Sequence, residues 1–385
     1  PLPRPLQVLV RQCSADGTFN PFVTGETVYW SIADGSTGQV TPATSTTGPD
    51  GVASASWTLG GPPGEQSVRA LVPGSTPLIF TATATALRDC GTTTGTDHGD
   101  RIITGQETWT LAGSPHRGGF VEVRDGGSLV VEGGATVCVH QLLVRDAATL
   151  AALGTSSAPI HFTTPQFPDG AWQGLIFMAT SASPVQNSVL RHVAVENALV
   201  NAAMDDYPVE ISNSRFVRGS GGPPCPQLIL ENRALRGPGM QTVVNATEVV
   251  GFGCAQWSAV YLNLAQPGFQ GPHTFRARVT GSLGVGVEVN SFSQNPVVEI
   301  SGCEVTGSAS HGIWVGDGAA RSVSVTGCNL TGNGGEGVHY AGSGTVVATG
   351  NWWGDTAGPA GPAGDGVSAG VDASSPLAAP VVLGY

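Results

Sequence analysis

The sequence contains no lysine and few charged residues of either sign. All 16 basic residues are arginines, charged residues make up 11% of the 385 positions, and the net charge is −12. An ordinary globular domain is about one quarter charged. The scattered arginines form no basic stripe that could neutralise a phosphate backbone, which argues against nucleic-acid binding. The same deficit of positive charge argues against binding to anionic membranes.

Long apolar runs and metal-binding spacings are also missing. No apolar run reaches the roughly 18 residues that span a bilayer. The chain opens at Pro1 without a signal segment, which predicts a mature form, a trimmed form or a fragment. No CxxC occurs and the eight histidines are dispersed, so neither a metal nor a cofactor is predicted. We expect the seven cysteines to form disulfides in an extracellular or cell-surface compartment.

What the sequence has in abundance is glycine, at 56 positions, between short runs rich in Val, Thr, Ser and Ala. This pattern predicts an all-β protein of short strands and tight turns. In residues 1–87 the runs LQVLV, TVYWSI, GVASASWTL, QSVRALV and LIFTATATA alternate with turn signals such as GPDG and GGPPG. That spacing predicts a small antiparallel β-sandwich.

Sequence motifs of this segment are similar to those of a known module. Gly25–Trp30 (GETVYW), Thr47–Leu59 (TGPDGVASASWTL) and Gly64–Val72 (GEQSVRALV) resemble the bacterial Ig-like repeats of invasin- and intimin-type surface proteins. The resemblance implies a spacer role and a further strand before Pro5–Val10. Without that strand one sheet edge is open, to be filled by a neighbouring subunit, by a preceding domain, or by an upstream piece of the same chain.

After a predicted linker at 88–100, residues 101–385 show a repeat of about 25 residues. Ile300–Val305 (ISGCEV) aligns with Val325–Leu330 (VTGCNL). In a second register, GVEV at 286–289, GIWV at 312–315 and GVHY at 337–340 fall 26 and 25 residues apart. Two registers with one period predict coils stacked in parallel, each burying its inward side chains on the next.

Five motifs in this segment resemble the right-handed parallel β-helix proteins of pectin-lyase-like fold that many bacteria secrete. They are Ile103–Trp109, Val121–Gly134, Leu153–Thr163, Trp172–Phe177 and Asn351–Pro359 (NWWGDTAGP). The resemblance implies a first coil near Ile103 and a closing coil at 351–359. The paired tryptophans of the closing coil are interpreted as an apolar cap on the core, with a sugar platform as the alternative.

Three cysteine pairs are candidates for disulfides. Cys303 and Cys328 align on adjacent coils, where they either bridge or remain stacked thiols. Cys225 and Cys254 each precede a strand and are expected to bridge at matching corners. The Ig-like resemblance implies that Cys13 and Cys90 meet at the ends of neighbouring strands. Cys138 is then left unpaired, as a small core hydrophobe, and no thiol catalysis is predicted for it.

Catalysis has only fragmentary support in the sequence, although parallel β-helices often degrade polysaccharides. Asp205-Asp206 is similar to the paired carboxylates of polygalacturonases, and Ser310-His311-Gly312 to their His-Gly element. The two fragments lie 105 residues apart, about four coils, where that family has them about one coil apart. The favoured interpretation is that Asp205 and Asp206 are solvent-exposed residues of a loop and that His311 is a turn residue.

Surface modification and sugar stacking are further hypotheses. Asn245 and Asn329 begin N-glycosylation sequons, and Trp314 and Tyr340 are candidates for stacking on sugars. The sequence as a whole favours a noncatalytic, extracellular structural or adhesive surface protein, extended to a filament subunit if strand exchange occurs at the Ig-like edge. The alternatives are a polysaccharide lyase or hydrolase and a glycan-binding β-helix.

Overall fold

The computed structural model describes residues 5–13, 19–33, 36, 38–59, 64–84, 90, 95–163, 172–179, 186–198, 200–217, 227–232, 243–250, 258–264, 272–290, 297–317 and 323–384. The chain divides into two units, Pro1–Asp89 and Cys90–Tyr385. No α-helix occurs in the described residues, and no helix there is long and apolar enough to cross a membrane.

The first unit is built from antiparallel strands. Its described strands are β1 (Leu6–Leu9), β2 (Arg11–Cys13), β3 (Phe19–Phe22), β4 (Thr27–Ile32), β5 (Gly38–Thr41), β6 (Thr44–Thr46), β7 (Val52–Leu59), β8 (Gly64–Leu71) and β9 (Leu78–Ala84). They form one sheet of order β1-β7-β5, a second of order β6-β4-β8-β9, and the pair β2-β3.

One hydrophobic core lies between the two larger sheets. Strand alternation directs Val28 and Trp30 of β4 and Trp57 of β7 inward, where they are buried with Val8 of β1. Trp30 donates its indole N–H to Ser45 Oγ, 2.8 Å away, so this polar atom is satisfied. Among the described strands, β1 pairs only with β7 and therefore forms an edge of its sheet.

The second unit is a three-sided stack of parallel strands, and the chain visits the three faces in the order A, B, C. Face A contains β11 (Arg101–Ile103), the later part of β13 (His116–Val123) and of β15 (Thr136–Arg145), β18 (Leu175–Met178), β21 (Ala202–Asp205), β24 (Leu228–Asn232), β26 (Val260–Leu264), β28 (Val287–Asn290), β31 (Ile313–Val315) and β34 (Val338–Tyr340).

Faces B and C complete each coil. Face B contains β12 (Gln106–Trp109), β14 (Ser128–Glu132), β16 (Thr149–Leu153), β19 (Ser188–Arg191), β22 (Val209–Ser212), the first parts of β25 (Val243–Val250) and β27 (Pro272–Thr280), β29 (Val297–Ser301), β32 (Val323–Thr326), β35 (Val346–Val347) and β36 (Val371–Asp372). Face C contains β10 (Thr96–Asp97), the first parts of β13 and β15, β17 (Ile160–Thr163), β20 (Val193–Glu196), β23 (Arg215–Val217), the later parts of β25 and β27, β30 (Glu304–Thr306) and β33 (Asn329–Thr331). The parallel stack begins with β10, which pairs with β13 and lies inside the predicted linker.

Both sequence registers are confirmed by the strand pairing. Val289, Val315 and Tyr340 are consecutive partners on face A, as are Ile300 and Val325 on face B. All five are buried. Each coil therefore covers the apolar side chains of its neighbours, which is the main stabilising contribution in a stacked fold.

The corner between faces B and C is made by a residue with positive φ followed by a buried one. Gly302 and Gly327 have φ of +53° and +62°, a conformation that glycine adopts without steric cost. Cys303 and Cys328 follow them, both fully buried. Their Cα atoms lie 4.4 Å apart and the two residues form a disulfide, so the predicted bridge is present.

The other cysteine predictions fare differently. Cys90 is bonded to Cys138 of β15, so the predicted pairing of Cys13 with Cys90 is wrong, as is the unpaired role of Cys138. The physical reason is proximity in the fold, because the Cα atom of Cys90 lies 5.9 Å from that of Cys138 on face C. Cys225 and Cys254 lie outside the described residues.

Polar and aromatic groups close the N-terminal end of the stack. Glu107 is an inward residue of β12, in a column that continues with Leu129 and Leu150. Its carboxylate accepts hydrogen bonds from Arg101 and from Trp109 Nε1. The His98 ring stacks on Trp109 at 4.5 Å between centroids. The first coil thus ends in a satisfied polar layer rather than bare apolar side chains.

The closing coil has one buried and one partly exposed tryptophan. Trp353 is fully buried in the core cluster, as the cap interpretation predicts, whereas Trp352 is only partly buried. Asn351 beside them is also fully buried and donates its amide N–H groups to the carbonyls of Val325 and Ala348. Its Oδ1 accepts the N–H of Cys328, so one side chain ties two coils together.

Candidate binding surface

The outward side of face A carries two parallel rows of side chains. The first row, in stacking order, is Glu122, Leu143, Ile176, Ala203, Ile229, Tyr261, Glu288, Trp314 and His339. The second is Arg145, Met178, Asp205, Glu231, Asn263 and Asn290. After Glu122 the first row is apolar from Leu143 to Ile229, and it becomes aromatic and charged on the later coils.

Tyr261, Glu288 and Trp314 are consecutive members of the first row, and all three are partly exposed. Because stacked strands lie about 4.8 Å apart, the two aromatic residues are about 9.6 Å apart along the stack. Burial raises the pKa of the Glu288 carboxyl, and the nearby Ser258 hydroxyl offsets part of that shift. The row therefore offers two aromatic rings with a carboxyl group between them.

At the end of the same row three titratable side chains converge. A repeated phrase creates the cluster, with His311 two residues before Ile313 and Glu336 two residues before Val338. The pairing of Ile313 with Val338 places His311 directly beside Glu336 of the next coil. His339, the outward residue of β34, follows Glu336 by three positions. We call His311, Glu336 and His339 the HEH cluster.

Distances within the HEH cluster are short. His339 Nδ1 lies 2.5 Å from Glu336 Oε2, and His311 Nδ1 lies 3.9 Å from the same oxygen. The two imidazole rings stack with centroids 4.3 Å apart and 23° between planes. The Glu336 backbone N–H donates to His311 Nδ1 over 3.1 Å, which identifies this nitrogen as an acceptor in a neutral ring.

The environment of His311 favours that neutral form. Burial lowers the pKa of His311, and repulsion from His339 lowers it further, while the Glu336 carboxylate acts in the opposite direction. Gly335 makes room for the ring, because a Cβ at that position would stand 2.8 Å from His311 Nδ1. The cluster is accessible, with side-chain exposures of 26% for His311, 31% for Glu336 and 29% for His339.

The acidic candidates are not part of this cluster. Asp205 is the last residue of β21, in the second outward row of face A, whereas Asp206 is 5% exposed with φ of +53°. Three strands separate β21 from β31, so Asp205 and His311 are about 19 Å apart along the stack. Asp205, Asp206 and His311 therefore do not form one site. The interpretation of His311 as a turn residue is correct for its position, but it did not include its contacts with Glu336 and His339.

Two further predictions concern the surface. Tyr340 is 4% exposed on the inward side of β34 and is not available for sugar stacking, whereas Trp314 faces outward. Asn329 is 9% exposed, and its amide exchanges two hydrogen bonds with the backbone of Val381. Its sequon is therefore blocked in the folded chain. Asn245 is exposed on β25, as a glycan acceptor requires.

Glu288, Glu336 and His339 were not predicted as site residues from the sequence. The 25-residue repeat contained the signal for the last two, because adding one period to His311 gives 336 and adding three more residues gives 339. What the repeat did not show was that Glu336 and His339 both approach the ring of His311. That proximity depends on side-chain direction at a turn.

Residues 273–358 match a family model described as "Right handed beta helix region". The match covers the HEH cluster, Glu288 and Trp314, and with the continuous parallel sheet it supports a right-handed β-helix for the second unit. Comparison with curated proteins and with solved structures finds no match.

Proposed function

We propose that this chain is a noncatalytic, extracellular adhesive protein whose β-helix binds glycans on the outward side of face A. The observation that carries the proposal is the alignment of Tyr261, Glu288 and Trp314 in one outward row. Aromatic faces bind the apolar C–H faces of sugar rings, and neighbouring carboxyl and amide groups accept or donate hydrogen bonds to hydroxyls.

The geometry of the row suits an extended ligand. Its members are fixed on consecutive strands of a regular parallel sheet, so little conformational entropy is lost when a glycan binds. The second row supplies Glu231 and Asn290 along the same side, with the buried Asn263 between them. A chain of sugars lying along the stack would meet Tyr261 and, two coils later, Trp314, with Glu288 between them and polar groups beside them.

The first unit fits this proposal as a spacer of Ig-like type. Its two antiparallel sheets share one small core, and β1 forms an edge that a strand from another subunit could extend. Assembly into filaments through this edge is an extension of the proposal. Its test is electron microscopy and light scattering of the purified chain over a range of concentrations, in which polymers support strand exchange and monomers throughout contradict it.

The experiment that tests glycan binding is a carbohydrate array followed by titration calorimetry with the strongest ligand. We expect saturable binding that Trp314→Ala and Tyr261→Ala each weaken at least about tenfold, in line with the loss of an aromatic contact. Phe120→Ala is the matched control, because Phe120 is 53% exposed and lies on an early coil. Absence of binding across neutral and acidic glycans, or equal losses in all three variants, would contradict the proposal.

Polysaccharide cleavage is the second candidate, favoured by one observation. A carboxyl with a raised pKa, such as Glu288, is the type of group that acts as a general acid. The readout is the release of reducing ends or unsaturated products from the bound glycan. Cleavage that Glu288→Gln abolishes without loss of binding would identify an enzyme, whereas binding without product supports the adhesive role.

A further inference from the structure

We propose that the HEH cluster is a binding site for a divalent transition-metal ion, with Zn²⁺ as the best-fitting ion. The donor set is two imidazoles and one carboxylate, and one ligand atom from each of His311, Glu336 and His339 lies within 4.8 Å of the others. Imidazole with carboxylate suits zinc, copper and nickel rather than calcium or magnesium, which prefer all-oxygen sites. The proposal is independent of glycan binding.

The existing distances are close to those that a metal site needs. Ligand bonds to zinc of 2.0–2.2 Å place two donors of one ion at most about 4.2 Å apart. The Glu336 Oε2 atom already lies 3.9 Å from His311 Nδ1. The widest separation must therefore shrink by less than about 1 Å, which rotation of partly exposed side chains can supply.

Binding would replace hydrogen bonds of the cluster rather than disrupt the fold. If His311 binds through Nδ1, one of these is the bond that this atom accepts from the Glu336 backbone N–H. His339 Nδ1 and Glu336 Oε2 lie 2.5 Å apart in a hydrogen bond, and a divalent cation would take the place of this hydrogen bond. The backbone positions of all three ligands are set by the strand pairing of β31 with β34. The site is thus organised before the ion arrives.

Three protein ligands leave at least one coordination position for water or another ligand, because zinc is usually four-coordinate. Trp314 is the register partner of His339 and lies next to the cluster on the outer surface. A bound paramagnetic ion such as Cu²⁺ or Ni²⁺ is therefore expected to quench the fluorescence of Trp314. This gives a spectroscopic signal tied to the place of binding.

The test is calorimetric titration of the full chain, freed of metal with a chelator, with ZnCl₂ alone. We expect one-to-one binding that His339→Gln, His311→Gln and Glu336→Gln each weaken at least about 10- to 100-fold. His192→Asn is the matched control, because His192 is partly exposed, lies outside the cluster, and has a φ of +48° that asparagine tolerates. We expect it to bind zinc like the parent chain.

Two outcomes would overturn the proposal: no one-to-one binding of Zn²⁺ by the folded chain, or binding that persists unchanged in His339→Gln and Glu336→Gln. Circular dichroism of each variant checks that the fold is intact. In a second measurement Cu²⁺ quenching of the parent chain should lose its saturable component in Trp314→Phe, while zinc binding is retained. Quenching that Trp314→Phe leaves unchanged would place the ion elsewhere and contradict the assignment.

Discussion

Cys90 is bonded to Cys138 across 48 residues of sequence, with Cα atoms 5.9 Å apart. Cys138 lies in β15, where its Cα partners are Arg117 in one neighbouring coil and Thr163 in the other. The bond therefore fixes Cys90 to face C, near the start of the stack.

Removing this disulfide should destabilise the β-helix. Closing a 48-residue loop lowers the chain entropy of the unfolded state, which contributes at most about 4 kcal/mol to the free energy of unfolding. Cys138→Ser and Cys90→Ser are each expected to lower the urea midpoint, and Cys13→Ser to leave it unchanged. Peptide mapping without reduction should recover Cys90 linked to Cys138. Recovery of Cys90 linked to Cys13 would contradict the prediction.

Asn351→Ala should destabilise the closing coils. The substitution removes three hydrogen bonds at a fully buried position and leaves the Cys328 N–H and the carbonyls of Val325 and Ala348 without this partner. Buried unsatisfied groups cost about 1–3 kcal/mol each, so we expect a loss of about 3–5 kcal/mol. Denaturant unfolding measures it, with Asn245→Ala as the exposed control. Equal, small effects of the two substitutions would show that these bonds contribute little.

His273 should make the β-helix sensitive to acid. It is 6% exposed on the inward side of face B, next to Val298, and burial lowers its pKa to about 4. The unfolded chain takes up a proton below about pH 6.5, whereas the folded chain does so only near pH 4. The free energy of unfolding should therefore fall as pH decreases through this window, by about 3 kcal/mol in total.

The measurement is denaturant unfolding at pH 7.5, 5.5 and 4 for the parent chain and for His273→Leu. The variant is expected to lose about 3 kcal/mol less than the parent over this range. Burial also lowers the pKa values of His98 and His116, which leaves a residual slope of the same sign in the variant. Identical pH profiles of the two proteins would refute the role of His273.

Glu107→Ala should weaken the N-terminal end of the stack more than Glu107→Gln. Alanine leaves the indole N–H of Trp109 and the guanidinium of Arg101 without this acceptor, whereas glutamine keeps an oxygen in place. Hydrogen exchange of β11 and β12 measures the effect locally. We expect exchange to be fastest in Glu107→Ala, intermediate in Glu107→Gln and slowest in the parent chain. Unchanged exchange in Glu107→Ala would show that the polar layer does not stabilise this end.

The architecture of the second unit could be predicted from the sequence because a stacked fold repeats one local arrangement. Inward residues recur at the coil period, so the sequence alone aligns Ile300 with Val325 and Val315 with Tyr340. The same alignment placed Cys303 beside Cys328 and left a bridge or stacked thiols as alternatives, of which the bridge is present. Positions that follow the repeat are determined by their own local sequence, since each coil buries its apolar side chains against nearly identical neighbours.

The partners of Cys90 and the members of the HEH cluster were decided only by the tertiary structure. Cys90 precedes the repeat, so no period relates it to Cys138, and its partner depends on the path of the chain along the first coils. His311 and His339 belong to the repeat, but one lies in a turn and the other on a strand. Whether two such rings meet depends on side-chain direction across the gap between coils, and a one-dimensional period does not contain that direction.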